Sequence, residues 1–159
     1  MSTEIKYKQL VPYGCGLFAI SNVFDINFLT EERLERCKDG CNIGLLSKWM
    51  QEDVNDVYID TLYYNHLGRK LPASTFDYLP SGNTTYLPIL LNVRYSKDGV
   101  NHLVGGRINK EGVLFLFDSC QKEVIETKLS KVNKIYDTVF GLYIFISLEN
   151  GNYIFLGKE

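Results

Sequence analysis

The spacing of apolar residues changes character near residue 57, and that change limits the folds open to the chain. Before it, apolar side chains recur at helical intervals. Leu17, Ile20 and Phe24, flanked by Phe18 and Val23, fill a wide arc between Gly16 and about Asp25. An arc that wide predicts a central, buried helix. Thr30 is a good N-cap and is followed by Glu31 and Glu32, whose charges suit the positive start of a helix that Gly40 would end. A third helix is expected from Leu45 to about Glu52, with Leu45, Leu46, Trp49 and Met50 turned inward. After residue 57 the runs shorten and become strand-like: Val57–Tyr63, Ile89–Tyr95, His102–Ile108, Val113–Phe117, Val124–Lys128, Leu142–Leu148 and Tyr153–Leu156. Asn109-Lys110-Glu111-Gly112 reads as a hairpin turn, as does the Asn150-Gly151 region, and residues 66 to 86 read as irregular. Helices first and antiparallel strands afterwards predict an α+β domain, an N-terminal helical part packed on a C-terminal antiparallel sheet.

A length of 159 residues suits one domain over 1–159. The balance of 45% hydrophobic to 23% charged residues is that of a folded globular chain. A net charge of −2, with no dense basic run, argues against a nucleic-acid-binding surface. The first residues are polar and carry no secretory pattern, and runs such as Val113–Phe117 and Leu142–Ile146 are too short to span a bilayer. The expectation is a soluble protein with no membrane partner, cytoplasmic by default, or in host cytoplasm or virion if a virus encodes it. Four cysteines, Cys15, Cys37, Cys41 and Cys120, do not make a disulfide framework in such a chain. Cys37 and Cys41 are read as two small residues beside a turn, since one short pair lacks the second ligand pair of a zinc site. Cys120 is read as structural.

Cys15 lies in Pro12-Tyr13-Gly14-Cys15-Gly16-Leu17, a loop expected to run straight into the first helix. A thiol in a first helical turn faces unpaired N–H groups and the positive end of the helix, which favours thiolate. Gly14 and Gly16 would leave room for a substrate backbone. Of two histidines, His66 falls in the irregular region and is read as solvated. His102, beside Asn101, opens a strand, where its ring can sit at a sheet rim and act as base and acid. Asp118 ends the strand that follows the 109–112 turn. The sixteen-residue spacing from His102 then brings the two strand ends together, so Asp118 could hold the imidazole tautomer. Gln9, six residues before Cys15, could pair its side-chain amide with the Cys15 N–H to hold an oxyanion.

Gln, five residues, Cys at a helix start, then His and a strand-end Asp in that order resemble the papain-like cysteine peptidases. Within that superfamily the chain is most similar to the bacteriocin-leader-processing peptidase domains of ABC transporters. The shared features are Cys15-Gly16-Leu17 followed by small and apolar residues, a strand opening on Pro88, a His-led strand and a strand ending in Asp, together spanning roughly residues 7 to 120. Three positions depart from the pattern. Gly14 stands where leader peptidases often carry Asp, Gly16 where papain carries an aromatic, and Ser119 where leader peptidases typically carry Pro. The resemblance implies a site in the cleft between helical part and sheet, a protein or peptide substrate, and hydrolysis of a peptide or isopeptide bond through a thioester. Cys15 would attack, His102 shuttle the proton, Asp118 orient His102 and Gln9 stabilise the oxyanion, while Gly14, Gly16 and Asn101 line the substrate. No cofactor or metal is implied.

Three other readings remain. The same thioester could serve an acyltransferase, a transglutaminase-like enzyme or an amidase, with water and amines competing as acceptors. The scaffold could be an inactive binding protein, for instance one encoded by a virus. Cys15, His102 and Asp118 could instead ligate a metal. The substrate and the oligomeric state are not legible in the residues.

Overall fold

The computed structural model describes residues 4–40, 42–64, 86–94, 101–109, 112–136, 138–154 and 156. Three helices come first: α1 (Cys15–Phe24), α2 (Glu31–Arg36) and α3 (Ile43–Asp53). Strands β1 (Val57–Tyr64), β2 (Leu87–Arg94), β3 (Asn101–Ile108), β4 (Val113–Phe117) and β5 (Ile125–Lys128) follow. A 3-10 turn at Leu129–Lys131 leads into α4 (Val132–Ile135), and β6 (Thr138–Ser147) comes last. The six strands form one antiparallel sheet in the order β1-β6-β2-β3-β4-β5. The α+β expectation is therefore met.

Helix α1 is buried from Gly16 to Val23, as its all-round apolar character requires. It lies along β3 with both running the same way. Cys15 Sγ is level with Leu103, Ala19 and Val23 crowd Gly105, and Arg107 donates to the Val23 carbonyl. A Cβ on Gly105 would stand 2.2 Å from Val23 Cγ2 and 2.7 Å from the Ala19 carbonyl oxygen, so glycine is what lets helix and strand meet. One core layer joins Leu17, Ile20, Phe28, Leu46 and Met50 to Leu90, Leu103 and Phe145 on this face of the sheet. The other face packs Ile89, Leu91, Val93, Val104, Leu116 and Ile144 against Leu129, Val132 and Tyr136. The 3-10 turn, the short helix and Tyr136 after β5 thus cover the sheet opposite α1.

Several expected boundaries move, each for a local reason. Thr30 does cap α2, accepting the Arg33 N–H, but the helix ends at Arg36 with Cys37 as its C-cap, before Gly40. Cys37 is fully buried, and Cys41 and His66 lie outside the described residues. The 66–86 reading also falls outside them, except Tyr86, which bridges Leu156. Helix α3 begins at Ile43 because the Asn42 side chain accepts the Gly44 and Leu45 N–H groups. β6 starts at Thr138, four residues before the expected Leu142, since Thr138 and Val139 already pair with Arg94 and Val93. The expected strand at 153–156 is reduced to isolated bridges, Tyr153 to Ile146 and Leu156 to Tyr86. The 109–112 turn joins β3 and β4, closed by Gly112 N–H donating to Asn109 O at 3.1 Å, with residues 110 and 111 outside the description. Among the described residues no helix is long and apolar enough to cross a membrane.

Candidate active site

Cys15 is the first residue of α1, half-buried, and held there by Gly14. Gly14 adopts φ +80°, a left-handed conformation that turns the loop into the helix, and its carbonyl accepts the Leu17 and Phe18 N–H groups. A Cβ there would also stand 3.0 Å from Leu34 Cδ2. Gly14 and Gly16 are both buried, and the missing side chain of Gly14 faces α2. Their part is to place the thiol.

The thiol meets β3 directly. β4 ends at Phe117, opposite Gly105, so β3 runs on past its neighbour. There the Leu103 N–H donates to Cys15 Sγ at 3.4 Å. The sulfur therefore rests against the peptide that links Leu103 to His102.

His102 is buried, and its Nε2 lies 2.9 Å from Asp118 Oδ1. The predicted hairpin delivers this pair across the sheet end. Asp118 is fully buried just past β4. Its Oδ1 also accepts the Cys120 backbone N–H at 3.0 Å, and its Oδ2 accepts the Tyr136 hydroxyl at 2.9 Å. Burial pushes the Asp118 carboxyl up from its ordinary value, and the Cys120 N–H and the Tyr136 hydroxyl pull it down. Tyr136 is itself held well above its ordinary value by burial and by the adjacent Asp118, so its hydroxyl stays a donor. With Asp118 as carboxylate, Nε2 of His102 must carry the hydrogen, and Nδ1 is the basic nitrogen of the neutral ring.

Gln9 reaches the same place from the N-terminal segment. That segment is pinned to α1 by Asn22, whose side chain accepts the Tyr7 N–H and donates to the Tyr7 carbonyl. It also runs beside residues 119–123 through the bonds Ile5 N–H to Lys122 O and Gln9 N–H to Ser119 O, and a bridge between Glu4 and Glu123. The Gln9 amide is oriented at both ends. Ser119 Oγ donates to Oε1 at 2.9 Å, and Nε2 donates to the Tyr13 carbonyl at 3.2 Å. The amide nitrogen carries a second N–H that can serve an oxyanion.

Asn101, the first residue of β3, is exposed at the rim beside His102. No family model matches the chain, and no curated protein matches it.

Three participants carry no advance signal in the residues. Tyr136 follows a helix of four residues, too short to show a period. The Leu103 donor is a backbone group. Cys120, read as structural, is exposed, with its thiol 3.9 Å from Gln9 Oε1, because the turn after Asp118 points it outward. The ligand atoms of His102, Asp118 and Cys120 lie within 4.8 Å of one another. Cys120 therefore replaces Cys15 in the cluster a metal reading would have to use. The 2.9 Å contact within it is a hydrogen-bond distance, with the His102 nitrogen facing the carboxylate oxygen itself.

Proposed function

We propose that the protein is a cysteine hydrolase of papain-like arrangement that cleaves a peptide or isopeptide bond through a thioester. The observation that carries the reading is the contact of Cys15 Sγ with the Leu103 N–H, one peptide from a histidine paired with a buried carboxylate. A helix start for the nucleophile, a strand start for the base and a strand end for the carboxylate support it. In this mechanism His102 Nδ1 takes the Cys15 proton and Sγ attacks the substrate carbonyl carbon. The oxyanion that forms is held by the Gln9 amide and the N–H groups of the first turn of α1. The C–N bond then breaks as His102 returns the proton to the leaving amine, leaving the acyl group on Cys15. Water, deprotonated by His102, attacks the thioester, and the acid departs with the thiol restored. Asp118 keeps the ring oriented and stabilises the imidazolium.

The test is the pH dependence of Cys15 alkylation by iodoacetamide, read by peptide mapping so that Cys120 does not confuse it. Wild type should react at pH 5 to 6, well below the range of an ordinary thiol, and His102→Ala should lose that acidic reactivity. Identical profiles in the two proteins would sink the reading. Once a substrate is in hand, Cys15→Ala should abolish turnover and leave stability nearly unchanged.

A further inference from the structure

The turn after Asp118 gathers three metal-binding donors of different chemistry at one point. The ligand atoms of His102, Asp118 and Cys120 lie within 4.8 Å of one another, and among the described residues no other three such side chains converge. The β3–β4 hairpin sets His102 Nε2 2.9 Å from Asp118 Oδ1. The Cys120 N–H donates to the same Oδ1 at 3.0 Å, which ties the cysteine to the pair. His102 and Asp118 are buried and Cys120 is exposed, so the cluster opens to solvent on its thiol side. Behind it, the Tyr136 hydroxyl braces the carboxylate by donating to Oδ2 at 2.9 Å. A carboxylate held in place by an outer donor is the usual support of a metal ligand.

The donor set decides which cation fits. One imidazole nitrogen, one thiolate and one carboxylate oxygen suit zinc and its neighbours, whereas calcium and magnesium take oxygen ligands. Around a tetrahedral zinc, neighbouring ligand atoms stand ~3.3–3.6 Å apart. The 2.9 Å pair must therefore open by a few tenths of an ångström, and the sulfur must close by no more than about 1.3 Å. The thiol sits on an exposed side chain and makes that move by turning about its Cα–Cβ bond.

In the metal-free chain a hydrogen holds the same place, on Nε2 between the ring and Asp118. A cation there displaces it. In the neutral ring that hydrogen is taken up at Nδ1, and the Cys120 thiol gives its proton to solvent. Nδ1 then has no lone pair for the Cys15 proton.

We propose that His102, Asp118 and Cys120 bind a zinc-type divalent cation, and that the bound ion shuts the proton route from Cys15. The binding stands apart from the proposed reaction of Cys15, and the shut-off rests on it.

Zinc affinity is measured by competition with a chromogenic chelator on the full chain carrying Cys15→Ala, which removes the nucleophile as a ligand. That protein should bind one zinc ion. Adding Cys120→Ser should weaken binding about tenfold or more, since even the loss of an outer-shell partner costs that much. Cobalt(II) in place of zinc should show a thiolate charge-transfer band that Cys120→Ser abolishes. Cys120→His, which supplies a nitrogen donor, should restore affinity without restoring the band. Equal zinc affinity with and without Cys120, or binding that vanishes with Cys15→Ala alone, overturns the site. In the chain that keeps Cys15, zinc should slow the acidic iodoacetamide reaction at Cys15, and Cys120→Ser should remove that effect. Zinc that binds and leaves the reaction unchanged overturns the shut-off and keeps the site. Absence of acidic reactivity in metal-free wild type would instead remove the reading of Cys15, while the affinities in Cys15→Ala still decide the cation.

Discussion

Asp118 is a carboxyl group held where its charge is poorly solvated, and much of the site's behaviour follows from that. Burial raises its folded-state pKa above the ordinary carboxylate value, against the pull of two hydrogen-bond donors. In the pH range between the unfolded and folded values the native chain binds the extra proton, so this group's stabilising contribution is present at low pH and is lost as pH rises through the folded value. Asp118→Asn keeps an oxygen for His102 and for the Cys120 N–H while removing the charge. In urea melts the variant should gain on wild type as pH rises from about 3 to 7; a variant that instead loses ground over that range would contradict the account. Tyr136→Phe acts in the opposite sense. It leaves Asp118 Oδ2 short of a donor in a buried place, which should destabilise the fold by about 1–3 kcal/mol. It should also raise the Asp118 pKa further, moving the acid limb of Cys15 alkylation to higher pH. A purely structural tyrosine would change the melt and leave that limb where it was.

At the scale of elements, the site depends on how closely α1 approaches β3, and one position controls that distance. Gly105→Ala drives a methyl into Val23 and the Ala19 carbonyl. Overpacking of this kind costs about 1–3 kcal/mol, and relief by shifting α1 would carry Cys15 away from Leu103. Chemical denaturation should show the loss, and acidic Cys15 alkylation should slow; full stability and reactivity would mean that the helix can yield elsewhere. Elements with a strong period were legible in the residues. α1 showed its burial through Leu17, Ile20 and Phe24, and the β3–β4 hairpin placed His102 against Asp118 from spacing alone. What stayed hidden has physical reasons. α4 is a single turn, so the route that brings Tyr136 beneath Asp118 has no periodic signature. The first residues of β6 carry no signal of their own because Thr138 and Val139 make sense only once paired with β2, more than forty residues earlier. Gly14 reads from the residues as a turn before a helix, but only packing shows that its bare face looks toward Leu34.

For the whole molecule, the site is a meeting of distant parts of the chain. Residues 9, 15, 102, 118 and 136 come from the N-terminal segment, α1, β3, the turn after β4 and the end of α4. The reactive Cys15 proposed above would therefore require both core layers at once. Urea unfolding followed by far-ultraviolet circular dichroism and by acidic Cys15 alkylation should give superimposed transitions. Reactivity lost well before the sheet would indicate a site that opens on its own. Asp118 holds His102 and its immediate neighbour Ser119 holds the Gln9 amide, so the two proposed catalytic functions hang from consecutive residues of one turn. A single-residue insertion or deletion there would put both out of phase together. Divergence of such a chain would then pass no half-functional intermediate at this turn: the segment is inherited whole, or the chemistry is abandoned and the scaffold is released to other uses.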